Sequence, residues 1–218
     1  CPMITVWKRT SEGTLAKLDS PASGCWVDVI NPSIEEMNFL SEKLNISHDF
    51  IASCLDQNEV SRVEKENDTT LFIFRVPVTA TEQDHKIEVI PLGVVISRNA
   101  AITIRLKETE VLSDFHDNKV KAVNTSDGVN FLLQVLKRAN HHYIRYLQKI
   151  ENDIDVLEET LLKSFRNEEI VKLLLIQKQL IYFETGIASN STVLEELAGG
   201  DVISMPKDDV ALLNHVIS

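Results

Sequence analysis

From Val129 to Phe165 the chain runs 37 residues without a proline, and its apolar positions recur at intervals of three and four. Val129, Leu132, Leu136, Ala139, Tyr143, Leu147, Ile150, Ile154, Leu157 and Leu161 form this series. The spacing places them on one stripe of an α-helix. At 1.5 Å per residue such a helix is about 55 Å long. That exceeds the width of a small domain, so the helix must pack against something elongated. Arg166-Asn167 interrupts the pattern, and a second stripe follows at Leu173, Ile176, Leu180, Phe183, Ile187, Asn190, Leu194 and Leu197, closed by Gly199-Gly200. Two long helices with a short break predict an antiparallel hairpin joined through these stripes, with Leu147 and Leu180 well buried. Pro206 suits a first helical turn and opens a third helix. Its apolar residues Val210, Leu213, Val216 and Ile217 run to Ser218 without a stop signal, and we read the natural protein as continuing beyond that point. The expected helices span about 129–165, 168–198 and 206–218, within a helical region at 126–218.

Residues 3–125 have a different texture. Met3–Lys8, Leu15–Asp19 and Cys25–Ile30 are short, β-branched or aromatic, and bounded by turn formers, as strands are. After Asn31-Pro32, Ser33 and Glu36 have capping-box spacing, and Ile34, Met37, Leu40 and Leu44 follow at helical intervals, predicting a helix over 34–45. Ser47 caps a second helix that buries Phe50, Ile51, Cys54 and Leu55. Val60–Lys65, Thr69–Val78, Ile87–Ser97 and Ala100–Leu106 read as strands, the last two joined by a tight turn at Arg98-Asn99. Val111–Val123 reads as a helix. This order predicts an α+β fold of αβα type: a mixed sheet covered by helices, then the long hairpin and the start of a stalk helix.

The chain of 218 residues carries 22 Lys and Arg against 33 Asp and Glu, a net charge of −11. Such a surface repels phosphate backbones, so nucleic acid is not an expected partner, whereas cations are attracted. The three cysteines, Cys1, Cys25 and Cys54, are far apart and odd in number, which argues against a zinc cluster or disulfide framework. No run of about 18 apolar residues offers a membrane span, and the N-terminal stretch lacks the basic-then-apolar order of a signal peptide. Catalytic motifs are missing too: no H-E-x-x-H, no G-x-S-x-G, and no phosphate-cradling glycine loop among seven glycines. His141-His142 sits on the long helix, where adjacent side chains diverge by about 100° and cannot share one ion. We read both as solvated. No nucleophile–base pair is legible, and the chain is not read as an enzyme.

Carboxylates are the remaining chemistry. Glu151, Asp153, Asp155, Glu158 and Glu159 crowd one stretch of the long helix. Like charges three or four residues apart cost a few tenths of a kcal/mol per pair unless cations relieve them. Hard ions such as Mg2+ favour oxygen ligands and keep most of their waters, so a loose acidic face suits them. The plainer account is a solvated face balanced by Lys149, Lys163 and Arg166. Glu82, Asp84, His85 and Glu88 form a second group between two strands, where an exposed hairpin tip explains them equally well. Asp201, Asp208 and Asp209 flank the third helix, whose N-terminus favours negative charge by itself.

Three blocks carry a resemblance. Trp26-Val27-Asp28, then Asn31-Pro32 and Glu35-Glu36, form the first. Leu55-Asp56-x-x-Glu59-x-x-Arg62-x-Glu64 forms the second, and Lys149-Ile150-Glu151-Asn152-Asp153-Ile154-Asp155-Val156-Leu157-Glu158-Glu159 the third. In order and spacing they are similar to the signature stretches of CorA-type magnesium transporters, across essentially the whole chain. The resemblance implies a homopentamer of the plasma membrane whose cytoplasmic N-terminal part, an αβα sandwich over 3–125, joins a helical funnel. It also implies transmembrane helices beyond this chain, the first ending in a Gly-Met-Asn motif absent here. A regulatory divalent ion, Mg2+ or else Co2+, Ni2+ or Zn2+, would sit between neighbouring subunits. One carboxylate would come from the loop holding Thr81, Glu82, Asp84 and His85, the other from the last helix near Asp208 or Asp209, with His215 one turn further on. Glu151, Asp153 and Asp155 would form a secondary site. The expected function is ion sensing that gates transport. Two rivals stand beside it: a soluble scaffold whose long helices oligomerise, and the zinc-transporting branch of the same superfamily.

Overall fold

A computed structural model describes residues 4–79, 87–121, 123–163 and 167–217, apart from the side chains of residues 162 and 163. Seven strands, β1 (Ile4–Arg9), β2 (Leu15–Leu18), β3 (Cys25–Ile30), β4 (Arg62–Glu66), β5 (Thr69–Thr79), β6 (Ile87–Ile96) and β7 (Ala100–Arg105), form one sheet in the order β2-β1-β3-β7-β6-β5-β4. Among the described residues only β3 and β7 run parallel, with Trp26 level with Ala101 and Asp28 level with Thr103; the remaining pairs are antiparallel. The sheet is mixed, as expected.

Both faces are covered, and the strand alternation assigns each side chain to one of them. Cys25, Val27, Val29, Leu71, Ile73, Ile102 and Ile104 point to the layer formed by α1 (Ile34–Leu44) and α2 (His48–Leu55). Trp26, Phe72, Phe74, Val76, Leu92 and Val94 point to the opposite layer, formed by α3 (Glu110–His116), α4 (Gly128–Lys163), α5 (Asn167–Gly199) and α6 (Lys207–Ile217). The capping box forms as its spacing predicts: Ser33 Oγ accepts from Glu36 N at 3.2 Å while Glu36 Oε2 accepts from Ser33 N at 2.8 Å. Ser47 Oγ accepts from Phe50 N at 3.3 Å at the start of α2. Gly93 lies directly beneath Cys54, where a Cβ would fall 2.0 Å from the thiol sulfur; any side chain there would lift α2 off the sheet.

Three expectations need correction. The helix read over 111–123 spans only Glu110–His116. It stops because Asn118 turns left-handed at φ 57° and spends its side chain on the edge strand β2: Leu15 N donates to Asn118 Oδ1 at 2.6 Å and Asn118 Nδ2 donates to Leu15 O at 3.3 Å. Strand β4 begins at Arg62 rather than Val60, which is exposed. The third correction concerns the stripe on α5. Phe183, Gly186, Asn190, Val193 and Leu197 are buried, whereas Leu173, Leu180 and Ile187 are exposed. From Phe183 onward the helix rests on β5 as well as on α4, and two supporting surfaces rotate the buried stripe away from the one a simple hairpin would use. Gly186 permits this approach, since a Cβ there would stand 2.9 Å from both Tyr143 Oη and Val89.

The stripe on α4 matches its reading better. Val129, Leu132, Leu136, Ala139, Tyr143, Ile150 and Leu157 are buried, and Leu147 is half-buried. The two long helices are joined through Tyr143 and Phe183, stacked edge to face at 5.3 Å, with Tyr146, Ile150 and Ile87 around them.

Candidate functional site

The Trp26-Val27-Asp28 block builds a buried ionic cluster. Because β3 alternates, Val27 enters one layer while Trp26 and Asp28 enter the other. There Asp28 Oδ1 accepts from Arg105 Nη1 and, at 2.6 Å, from Thr103 Oγ1. Asp28 Oδ2 accepts from Arg105 Nη2 at 3.2 Å and lies 3.1 Å from His116 Nε2. Trp26 Nε1 donates to Thr103 Oγ1 at 2.8 Å. The His116 ring lies stacked between Trp7 and Trp26, with centroids 4.7 and 4.8 Å away. Asp28 and Arg105 are both shut off from solvent. Burial pushes the Asp28 carboxyl upward, but the Arg105 charge, the nearby His116 ring and the hydrogen bonds from Arg105 outweigh it and bring its pKa down to about 2. This cluster is a clamp between the parallel strands and α3, with no carboxylate oxygen free to take an ion.

In the second block Arg62 is bracketed by Glu59 and Glu64. It pairs with Glu59 through Nη1 and with Glu64 through Nε at 3.2 Å, and its Nη2 donates to Ser53 Oγ on α2. The spacing of that motif therefore fastens the end of α2 to the start of β4.

A third polar group joins α3 to α4. Asp114 Oδ2 accepts from Arg138 Nε at 2.8 Å and lies 2.6 Å from His142 Nε2, and Lys119 Nζ stands 3.2 Å from Asp114 Oδ1. His142 is thus buried, contrary to its reading as solvated; His141 is exposed. Burial lowers the His142 pKa below the ordinary 6.5, although Asp114 opposes the shift. Nearby, Thr79 Oγ1 donates to Glu110 Oε1 at 2.7 Å and lies 3.0 Å from Tyr146 Oη, tying the end of β5 to α3 and α4. A histidine at a position flanked by buried stripe residues was the available sequence signal for His142; Asp114 had none.

The expected metal ligands fall into three sets. Glu82, Asp84 and His85 lie outside the described residues. Glu151, Asp153 and Asp155 are exposed along α4. Asp208 and His215 are exposed on α6, while Asp209 turns inward: its Oδ1 accepts from Asn130 Nδ2 at 2.8 Å, and its Oδ2 is buried without a hydrogen-bond partner among the described residues. Among the described residues no three His, Cys, Asp or Glu side chains converge as a ready-made cage. Nor is any helix among them long and apolar enough to cross a membrane.

A mixed seven-stranded sheet between helical layers, extended by a long acidic hairpin, is the architecture of a CorA soluble domain. The soluble domain of CorA from Methanocaldococcus jannaschii superposes with a TM-score of 0.83 at 26% identity, over 98% of this chain and 86% of that one. The complete CorA magnesium transporter structure from the same organism shares the fold, with a TM-score of 0.86 at 24% identity, over 99% of this chain and 69% of that one. The cytoplasmic domain of ZntB from Vibrio parahaemolyticus shares it as well, with a TM-score of 0.71 at 14% identity, over 98% of this chain and 87% of that one. In sequence the chain is 31% identical over 202 residues to the cobalt/magnesium transport protein CorA of M. jannaschii, covering 88% of this chain and 62% of that protein. The model of the CorA-like Mg2+ transporter protein family matches residues 21–218, and the chain belongs to that family.

Proposed function

We propose that this chain is the cytoplasmic, ion-sensing part of a plasma-membrane transporter for Mg2+, and that bound divalent ions gate transport by bridging carboxylates of neighbouring subunits in a pentamer. The observation that carries the reading is the exposure of Asp208 in the first turn of α6 and of Glu151, Asp153 and Asp155 along α4, in a chain of net charge −11 that belongs to this family. Carboxylates that do not meet within one subunit can meet across two. An ion held there would offset their repulsion and favour a closed assembly; its loss would let like charges separate the subunits. Glu82, Asp84 and His85 would supply the facing ligands, with Asp209 and His215 beside Asp208. Co2+ is the other ion named for the relative, and Ni2+ and Zn2+ are chemically eligible; all of these would be cargo as well as signal.

The test is thermal unfolding in tens of millimolar MgCl2 against NaCl of equal ionic strength, with CoCl2, NiCl2 and ZnCl2 in parallel. Loosely built carboxylate sites bind at about 0.1–1 mM or weaker, so a Mg2+-specific rise in melting temperature is expected, reduced in Asp208→Asn. Equal melts in MgCl2 and NaCl would remove the ion-sensing role. A shift confined to Zn2+ would move the chain to the zinc branch.

A further inference from the structure

A basic groove lies beside the polar group that joins α3 to α4. Lys119 and Lys121, on the segment leaving α3, face a stripe of α4 formed by Gln134, Lys137, Arg138 and His141. Those four positions are three and four residues apart, so one helical face presents them together. They enclose about 340 Å3, and no carboxylate is among the residues lining the groove. This concentration of cations stands in a chain where acids outnumber bases 33 to 22.

Two carboxylates border the groove, Asp114 buried and Asp117 exposed. Asp114 is buried and engages Arg138 through Nε at 2.8 Å and Nη2 at 2.6 Å, which leaves Nη1 for the groove. Lys119 Nζ is held 2.8 Å from Asp117 and 3.2 Å from Asp114. Arg138 is therefore positioned before any ligand arrives, which reduces the ordering cost of binding. Lys121 and Lys137 are exposed, have no carboxylate partner among the described residues and contribute uncompensated charge.

We propose that this groove binds a small polyvalent oxyanion of the phosphate class. Its polar groups are overwhelmingly donors: a guanidinium edge, three ammonium groups and an amide, with the imidazole of His141 able to join them. Such a set suits a ligand that only accepts hydrogen bonds and carries more than one negative charge. A divalent cation is repelled by it, so the groove is independent of the ion-sensing reading. At about 340 Å3 it is at the small end of ligand sites, which fits a diphosphate better than a larger cofactor.

Calorimetric titration of inorganic pyrophosphate into the protein, in EDTA at low salt, tests the proposal. Saturable binding is expected, weakening as NaCl rises because the contacts are charged. Lys121→Glu and Lys137→Glu are exposed substitutions, and each should weaken binding by about tenfold or more. Lys65→Glu, on distant β4, makes the same charge change and should bind as the parent does. The proposal is overturned by an absence of saturation up to about 10 mM, well above ordinary ligand affinities. It is equally overturned if both groove variants bind like the parent, if Lys65→Glu weakens binding as much as they do, or if only vesicles containing phosphatidylglycerol bind and pyrophosphate does not. Because EDTA removes divalent ions, failure here leaves the Mg2+ melts unaffected, and failure of those melts leaves this titration standing.

Discussion

The side-chain amide of Asn190 forms both hydrogen bonds of a strand pair with the backbone of Arg75: Arg75 N donates to Asn190 Oδ1 at 2.7 Å, and Asn190 Nδ2 donates to Arg75 O at 2.8 Å. Strand β4 pairs with β5 no further than Ile73, so the next outward-facing backbone groups of β5 would be left open. A helix residue completes the ladder instead. Ser61 Oγ also donates to Asn190 Oδ1, at 3.1 Å. Asn190→Asp replaces the donor by a second oxygen that faces Arg75 O and adds a buried charge. Leaving a buried backbone group unsatisfied costs about 1–3 kcal/mol. Tyr143 Oη still donates to Arg75 O, but the buried charge adds to the loss, so we expect at least the upper half of that range by urea denaturation. An Asn190→Asp protein as stable as the parent would show that the mimicry carries no weight.

Asp28 and Arg105 make a sharper case. Replacing Asp28 by Asn strips the charge that compensates a buried guanidinium. Breaking one side of a buried pair typically costs about 3–5 kcal/mol. The same carboxylate sets an acid limit. Its pKa is lowered from 3.8 to about 2 on folding, so its contribution is complete above the unfolded value and is lost as pH falls toward 2. Stability of the parent should therefore fall steeply as pH drops through that window, and Asp28→Asn should flatten the slope. An unchanged slope would assign acid sensitivity to other groups.

His142 predicts a pH effect nearer neutrality. Its pKa is depressed on folding, chiefly by burial, with Arg138 and Arg145 adding to the effect while Asp114 pulls the other way. A histidine held neutral contributes stability that is present above its unfolded value of 6.5 and declines as pH falls below it. Melting temperature should drop between about pH 7 and pH 5 in the parent, and drop less in His142→Gln. Parallel pH profiles for the two proteins would contradict this.

Legibility divides along physical lines. Strand β3 was readable to the residue because Cys25–Ile30 is short, β-branched and bracketed by turns. The two helical caps were readable because Ser33, Glu36 and Ser47 act within four residues of themselves. What sequence could not show is whatever depends on two distant segments meeting. Asn118 ends α3 by bonding to Leu15, and Asn190 turns α5 toward β5; neither partner is local. The charges at Asp28 and Arg105 each sit in an apolar strand, a pattern that signals a buried pair in hindsight. The acidic stretch at 151–159 was legible as charge, and the expected loop partner of Asp208 at 81–85 falls outside the described residues.

The α5 stripe separates two neighbouring residues experimentally. Phe183 is buried against Tyr143 and Tyr146, whereas Leu180, one turn earlier, is 36% exposed. Phe183→Ala should cost about 3–5 kcal/mol, and Leu180→Ala much less than the 2–5 kcal/mol usual for a core leucine. Equal losses in urea melts would restore the simpler hairpin register.

The exposed half of the hairpin sets association against repulsion. Val171, Leu174, Leu175 and Ile181 are exposed on α5, and Val156 is exposed on α4 beside Glu151, Asp153 and Asp155. Covering that apolar surface with a second copy would gain about 25 cal/mol per Å2 removed from water. The acidic flank opposes such contact most strongly at low salt, where the charges are least screened. Divalent ions relieve the repulsion more effectively than monovalent ions of equal ionic strength, because one ion can bridge two carboxylates. Light scattering coupled to size exclusion should therefore show the mean mass rising with MgCl2 beyond its rise in matched NaCl. Leu174→Glu places a charge in the apolar patch and should suppress the rise without changing the melting temperature by more than the small amount typical of surface substitutions. A tight dimer that persists in EDTA would point instead to helices that oligomerise on their own, and would detach assembly from the metal.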